Sequence, residues 1–445
     1  MALGGVFMTD TDGNIGTERV NLTEKVCGLL FDISAQSNFW TVGVGATLAA
    51  KLQNTVVELN CLEDAEDLGI MPYTGETTTV ENDTVSSDFL YGIPYYHIKQ
   101  FFQKNSNSGR LFIAFANCSS NWNALIDMQK AAHGVINQFG VWTEQSLWKL
   151  ASENAEQYTI QLRDSLELVA ESLANDYNAP CVILLNANTA KVLTSNSSVT
   201  SVVWSKIPTC ISHARYVSVL LGQDSNDEIA AMQTSLDSCT PVGNIGIALG
   251  CLAASNVAES IGWVQQHDLA DYFTDIELGF GNATVVEHAL TNPTRYDSLT
   301  QVQIDHLDDL GYVFLCRYAG LEGHVYFTGD QTCSDGDYRT ISRNRVINKS
   351  RRSVRTALLP YVNSPIKVDP STGRLSTAQI TVFSNLITDI LNAMRDAEEI
   401  SGIGQVTIPA DQNILKNDRL IIQYTMVPIG TAKEIKVTEG LVLSA

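Results

Sequence analysis

The sequence predicts an α/β body followed by an α+β C-terminal domain, a multi-domain subunit with an extended terminal arm. Three observations carry this reading. Between Arg110 and Trp263, buried-type strands alternate with amphipathic helices, the pattern of a largely parallel sheet covered by helices. From about Gly311 the pattern changes to a short hairpin, two long helices and closing strands. The charge changes at the same place. Residues 311–445 carry 15 Lys and Arg against 13 Asp and Glu, a net of +2, whereas residues 1–310 carry 13 against 36, a net of −23. At 445 residues the chain exceeds one ordinary core, so several domains are expected, and an apolar fraction of 44% is that of a globular protein. The expected division is an arm at 1–22, an α/β region at 23–310 and a C-terminal domain at 311–445.

Each element has a local reason. Residues 1–22 mix Gly with polar residues around one short apolar piece, Val6-Phe7-Met8, and read as an extended arm. Val26–Ile33 and Thr55–Leu59 read as strands. The acidic, Thr-rich stretch from Glu63 to Asp88 reads as a surface excursion. Tyr95, Ile98, Phe101 and Phe102 share one helix face. Leu111–Ala116 is a buried strand, Trp122–Asn137 a helix, and Gly140–Trp142 a short strand or turn. Thr159–Tyr177 is a helix with Leu162, Leu166, Val169 and Leu173 in register, and Pro180 punctuates before the strand Cys181–Asn186. Tyr216–Leu221 is a strand, Asp227–Leu236 a helix, and Gly243–Trp263 a helix of small residues. Beyond Gly311, Tyr312–Arg317 and His324–Phe327 pair across a Gly320–Gly323 turn. The basic run Ser342–Leu359 is helical and ends at Pro360. Ser376-Thr-Ala-Gln379 is a capping box opening a helix with the stripe Ile380, Phe383, Ile387, Ile390 or Leu391, and Met394, closing at Gly402. Leu420, Ile422, Tyr424 and Met426 alternate along a strand, and Lys433–Leu443 is a last strand with Ile435 and Val437 inward.

Composition excludes several functions. A net charge of −21 argues against a general nucleic-acid binder, because phosphate contact needs surplus Lys and Arg. The stretch with Gly246-x-x-x-Gly250 is apolar only over Ile245–Ser255, short of the roughly 20 residues a span needs, so no membrane insertion is expected. The opening Met-Ala-Leu-Gly-Gly does not read as a signal peptide. Nine scattered cysteines without a C-x-x-C pair read as free thiols of a reducing cytosol, which leaves the six N-x-[ST] sequons without meaning for glycosylation.

No motif carries chemistry. Gly43-Val-Gly45-Ala-Thr-Leu48 has Leu48 at the third glycine position of a dinucleotide loop. Asp10, Asp12 and Asn14 begin like a calcium loop, but Ile15 and Asn21 stand where Gly and Glu are needed. The seven histidines are dispersed, and there is no phosphate loop and no nucleophile elbow. No catalytic, metal or cofactor-binding residue is assigned, and no cofactor is expected. The dense basic run is different: Arg343, Arg345, Lys349, Arg351, Arg352 and Arg355 lie on one expected helix. Arg345, Lys349 and Arg352 form a stripe opposite Ile347, Val354 and Leu358. That stripe reads as a solvated face, as an interface to an acidic partner, or as a nucleic-acid contact.

Several stretches together resemble the contractile tail sheath family of bacteriophages and related contractile injection systems. They are Arg317-Tyr-Ala-Gly-Leu-Glu-Gly-His-Val-Tyr-Phe-Thr-Gly-Asp330, Asp337-Tyr-Arg-Thr-Ile-Ser-Arg-Asn-Arg345 and Asn348-Lys-Ser-Arg-Arg-Ser-Val-Arg355. Tyr96–Phe102, Arg110–Ala116, Ala132–Trp142 and the closing Val427-Pro-Ile-Gly and Ile435-Lys-Val add to the likeness. The resemblance implies a non-enzymatic subunit that stacks in hexameric rings around an inner tail tube protein. The C-terminal domain would be innermost, with the basic helix facing the tube. Further implied partners are the baseplate and tail terminator, with assembly in the host cytoplasm and residence in the virion tail or injection particle. Contraction would run from a metastable extended lattice without nucleotide, and terminal arms would add strands to neighbours' sheets. The expected exchange residues are Val6, Phe7 and Met8 with Leu420, Ile422, Tyr424, Ile435 and Val437. Only Ser444 and Ala445 follow the last expected strand, so any C-terminal exchange would use that strand itself. The alternatives are a nucleotide-binding α/β enzyme, which the missing phosphate loop opposes, and another virion component such as tube, baseplate or capsid.

Overall fold

A computed structural model describes residues 22–34, 52–72, 77–80, 83–86, 89–105, 109–150, 158–189, 204–229, 242–281 and 293–441. In chain order the named elements are β1 (Val26–Asp32), β2 (Val56–Leu59), α1 (Leu62–Asp67), β3 (Thr77–Val80), β4 (Asp83–Ser86), α2 (Phe89–Lys104) and β5 (Arg110–Ala116). Then follow α3 (Asn123–Ala131), β6 (Gln138–Ser146), β7 (Lys149–Leu150), β8 (Tyr158–Thr159), α4 (Gln161–Asn175), β9 (Val182–Asn188), β10 (Val217–Leu221), β11 (Gln223–Asp224) and α5 (Ile245–Ala254). The remainder is β12 (Ile276–Gly281), β13 (Pro293–Arg295), α6 (Gln301–Asp309), β14 (Val313–Cys316), β15 (Tyr326–Phe327), α7 (Ile341–Leu358), α8 (Thr377–Asp396), β16 (Ile400–Thr407), α9 (Ile414–Asn417) and β17 (Gln423–Pro428).

The body is one eight-stranded sheet in the order β15-β14-β10-β9-β6-β1-β5-β2. Its inner strands run parallel, and β2 and β15 close the edges antiparallel. Strand β1 shows why both faces need cover. Cys27, Leu29 and Phe31 enter one core with α2 and α5, while Val26 and Leu30 enter the other with α3, α4 and α6. The small-residue helix packs as its composition expects. A Cβ on Gly246 would lie 2.2 Å from His97 O, so α2 and α5 meet backbone to backbone. Among the described residues no helix is long and apolar enough to cross a membrane.

Several boundaries differ from the sequence reading. The helix expected over Trp122–Asn137 stops at Ala131, because His133 and Gly134 both take positive φ and the Gln129 amide clasps Ile136 through its backbone N–H and C=O. The short strand expected at Gly140–Trp142 is the nine-residue β6 at the sheet's centre, whose polar end disguised it. The small-residue helix is shorter than Gly243–Trp263, beginning after Gly243 at φ 86 and ending where Ser255 turns extended. The excursion at 63–88 is partly core, since Ala65 and Ile70 are fully buried. A boundary at 311 cuts the sheet: β14 pairs with β10 and β15 pairs with β14, so the body continues through Phe327. Of the helix expected over Asp227–Leu236, residues 230–236 lie outside the described residues.

Candidate assembly surface

The C-terminal region is built on α7 and α8. Thr340 caps α7, its hydroxyl accepting from Arg343 N at 3.3 Å, and Asp330 accepts from Ser342 N and Oγ at 3.2 and 2.6 Å. Ser376 caps α8 through Gln379 N at 3.4 Å, and Phe383, Ile387, Leu391 and Met394 form its buried stripe. The helix closes at Asp396 rather than at Gly402. Glu398 takes the left-handed turn at φ 57, and Glu399 N reaches Met394 O at 2.9 Å. The chain is thereby already in β16 at Ile400, and Gly404 lets β17 approach, since a Cβ there would sit 2.2 Å from Thr425 Oγ1. Val346, Val354, Ile387, Leu391, Met394 and Ile400 form a core separate from those of the body.

The face of α7 expected to be open is turned largely into the molecule. Arg345 is 3% exposed. Its guanidinium donates to Leu252 O at 2.8 Å, Ser255 O at 3.3 Å and Asn256 O at 3.2 Å, so it caps the carbonyl end of α5. Burial pulls its pKa below the ordinary guanidinium value. Lys349 pairs with Glu399. Arg352 pairs with Glu24 at 2.5 Å and donates to Pro180 O at 2.7 Å, which fixes the root of the N-terminal segment. Arg351 donates to Tyr216 Oη at 3.2 Å and Ala174 O at 3.3 Å, and Arg343 to Asp337 O at 3.3 Å. Arg355 is exposed. The stripe of Arg345, Lys349 and Arg352 is therefore engaged within the subunit. The reason is the approach of α5 and β9 from the body, which no local pattern in α7 reveals.

The strand-exchange residues divide in the same way. Leu420 and Ile422 precede β17 rather than lying in it, while Tyr424 and Met426 point inward along it and Gln423, Thr425 and Val427 point out. Strands β16 and β17 form a two-stranded sheet of their own. The last strand expected at 433–443 is not formed over 433–441. Those residues take no regular structure, and Ile435, Val437 and Leu441 are 80%, 83% and 105% exposed instead of inward. A strand needs a ladder partner, and none lies beside this segment among the described residues. Lys433 anchors it, with Nζ 2.7 Å from both carboxylate oxygens of Asp308. Val6, Phe7 and Met8 lie outside the described residues.

In the body, strand order reverses around β1, where a doubly wound sheet would receive a nucleotide. There Asp32, 1% exposed, accepts from Ser34 N, Ser34 Oγ, Cys118 N, Thr143 Oγ1 and Gln145 Nε2 at 2.6–2.9 Å. The chain's own donors thus saturate the carboxylate. His97 is buried between Val242 O and Gly246 N, and burial lowers its pKa to about 3. Ser255 and His267 touch at 2.7 Å, but the Ser255 hydroxyl donates to Cys251 O at 2.5 Å, so the serine proton is not aimed at the imidazole. Among the described residues no group of three or more His, Cys, Asp or Glu could hold a metal ion.

This architecture, a parallel-sheet body with a two-helix, two-strand C-terminal region, is shared with solved chains from the sheaths of contractile injection systems. The anti-feeding prophage (AFP) helical sheath in its contracted state superposes with a TM-score of 0.55 at 12% identity over 99% of both chains. A chain of the 6-fold symmetrised AFP baseplate gives 0.54 at 13% identity over 100% of each. The contracted PVC sheath complex of an extracellular contractile injection system gives 0.54 at 9% identity, over 100% of this chain and 98% of that one. At these identities the likeness is one of fold. The chain belongs to the DUF2586 family: the pattern of the family's N-terminal domain matches residues 3–331 and that of its C-terminal domain residues 337–445. No curated protein matches the sequence.

Proposed function

We propose that this chain is the structural, non-enzymatic subunit of a contractile sheath, polymerising around an inner tube in stacked hexameric rings. The observation that carries the proposal is the unfinished sheet. Strands β16 and β17 stand as a pair beside a tail whose Ile435, Val437 and Leu441 are bare to solvent. Such edges call for strands from neighbouring copies. The arm at residues 1–22 and the tail at 433–443 are the strands that would complete the sheet, and the fold shared with sheath proteins supports this use. Contraction is then a movement of rigid bodies joined by these strands, from a metastable extended lattice, with no nucleotide. The subunit would assemble in the host cytoplasm and bind baseplate and terminator at the cylinder's ends. In this proposal the tube-facing cation of α7 is Arg355, because Arg343, Arg345, Lys349, Arg351 and Arg352 have partners in the subunit.

Negative-stain microscopy of the purified full chain tests the proposal. Long striated hollow cylinders are expected. Discrete monomers or closed shells under conditions that polymerise sheaths would reject it. Deleting residues 433–445 should leave the circular dichroism of the body unchanged and abolish cylinders. Normal cylinders from that variant would place the contacts between the bodies instead.

A further inference from the structure

Cys210 and Cys333 are 123 positions apart in sequence, yet their sulfurs lie 3.1 Å apart, about 1 Å beyond a covalent S–S bond. Both side chains are fully buried. The backbone holds each in place. Cys210 N donates to Leu310 O at 2.7 Å, Cys333 N donates to Val217 O at 2.8 Å, and Ser212 N donates to Cys333 O at 2.7 Å. Arg163 Nη1 donates to Cys210 O at 2.9 Å. Other buried cysteines face different groups: Cys27 meets Gln138 and the carbonyls of Lys25 and Leu249, and Cys118 meets Ala116 O. The position in the chain is also distinctive. Cys333 falls between the two matched family regions, 3–331 and 337–445, on the segment that leads from β15 into α7.

We propose that Cys210 and Cys333 are a redox pair whose disulfide ties the linker between the two family domains to the α/β body. The oxidant class is a small-molecule disulfide. One thiol loses its proton and attacks a sulfur of the oxidant, forming a mixed disulfide and releasing one thiolate, which takes up a proton. The second cysteine, likewise deprotonated, attacks the protein sulfur of that mixed disulfide and releases the second thiol. Two electrons pass from the cysteine pair to the oxidant, so two protein thiols and one disulfide become one protein disulfide and two small thiols. Burial raises the pKa of Cys333, so the exchange is slow and needs opening of the 328–340 segment. Once formed, the bond closes a long loop in the unfolded chain and raises stability. It also fixes the point from which the C-terminal region departs.

The test uses the full chain as a soluble subunit incubated with oxidised or reduced glutathione. Free thiols are alkylated under denaturing conditions and the digest is mapped by mass spectrometry. In the oxidised sample the Cys210 and Cys333 peptides should appear joined and lighter by two hydrogens, and reductant should release them. The oxidised protein should also melt several degrees higher. Cys333→Ser should lose that rise and Cys316→Ser should keep it. Both cysteines alkylated after prolonged oxidation, or either one joined to a third cysteine, would overturn the proposal. The mapping needs no variant to fold, and it reads covalent state rather than assembly, so it stands or falls apart from the sheath reading.

Discussion

The α/β body and the C-terminal region solve the burial problem to different degrees. In the body the long parallel strands are covered on both faces, and large side chains such as Trp142, Trp148, Phe139 and Phe314 are fully buried. In the C-terminal region only one face of α8 is sealed, β16 and β17 pair only with each other among the described residues, and Val382, Leu415, Ile421 and Val427 are exposed. In the proposed sheath, these exposed apolar side chains beside a two-stranded sheet are where a neighbouring chain would dock. On the proposed function, residues of the body are those whose loss unfolds the subunit, and exposed residues of the C-terminal region are those whose loss would leave a folded subunit that cannot assemble.

The largest effect is expected in the body. Gly246→Leu places a Cβ 2.2 Å from His97 O, where backbone rather than a flexible side chain must yield. Overpacking of this kind costs about 3 kcal/mol or more. Soluble yield and the thermal midpoint should both collapse, and a normal melt would mean that α2 and α5 do not meet as described.

Arg345→Met comes next, because it sits on the seam between the two regions. It strips the donors from the carbonyls of Leu252, Ser255 and Asn256, at a cost of about 2–4 kcal/mol. Limited proteolysis should then release the C-terminal region while the body resists. If the variant is as protease-resistant as the parent, the seam is held by other contacts.

A smaller effect is pH-dependent and confined to the body. Glu277 is buried, donated to by Gln223 Nε2, and desolvation raises its pKa from 4.5 to about 7. A raised carboxyl pKa means the native state holds a proton that the unfolded chain has already lost. Its contribution to stability is therefore complete below about pH 4.5 and falls as pH rises to about 7, by about 1–3 kcal/mol. Glu167, also raised to about 7, and His97 and His267, whose pKa values burial lowers, add pH dependence over the same range. The Glu277 part is therefore the difference, in denaturant melts, between the pH 5 to pH 7.5 slopes of the parent and of Glu277→Gln, the variant losing less stability as pH rises. An unchanged slope in the variant would assign the pH dependence to other groups.

Arg355→Glu should have the smallest effect on folding. The side chain is exposed, so stability should shift by less than about 0.5 kcal/mol. Any consequence should appear only as weaker co-purification with a tube protein at moderate salt. Arg352→Glu makes the contrasting case, because it breaks the pair with Glu24 and the bond to Pro180 O and should lower the midpoint measurably. Equal melting of the two variants would erase the distinction between inner and outer cations on α7.

What the sequence by itself determined was local and periodic. The strands at Val26–Asp32, Arg110–Ala116, Val182–Asn188 and Val217–Leu221 were legible as apolar runs bounded by punctuating residues. The cap at Ser376, the buried stripe of α8 and the small-residue contact of α5 follow from hydrogen-bond chemistry and side-chain size within a few turns. The tertiary structure decided what depends on distant partners. Arg345 reads as surface charge until the carbonyl end of α5 arrives from some 90 positions away. Strands β14 and β15 look like the start of a new domain until β10 accepts them into the sheet. The segment 433–441 has the alternation of a strand and yet stays irregular, because alternation describes which faces a strand would present, whereas a strand exists only when another one supplies its hydrogen bonds.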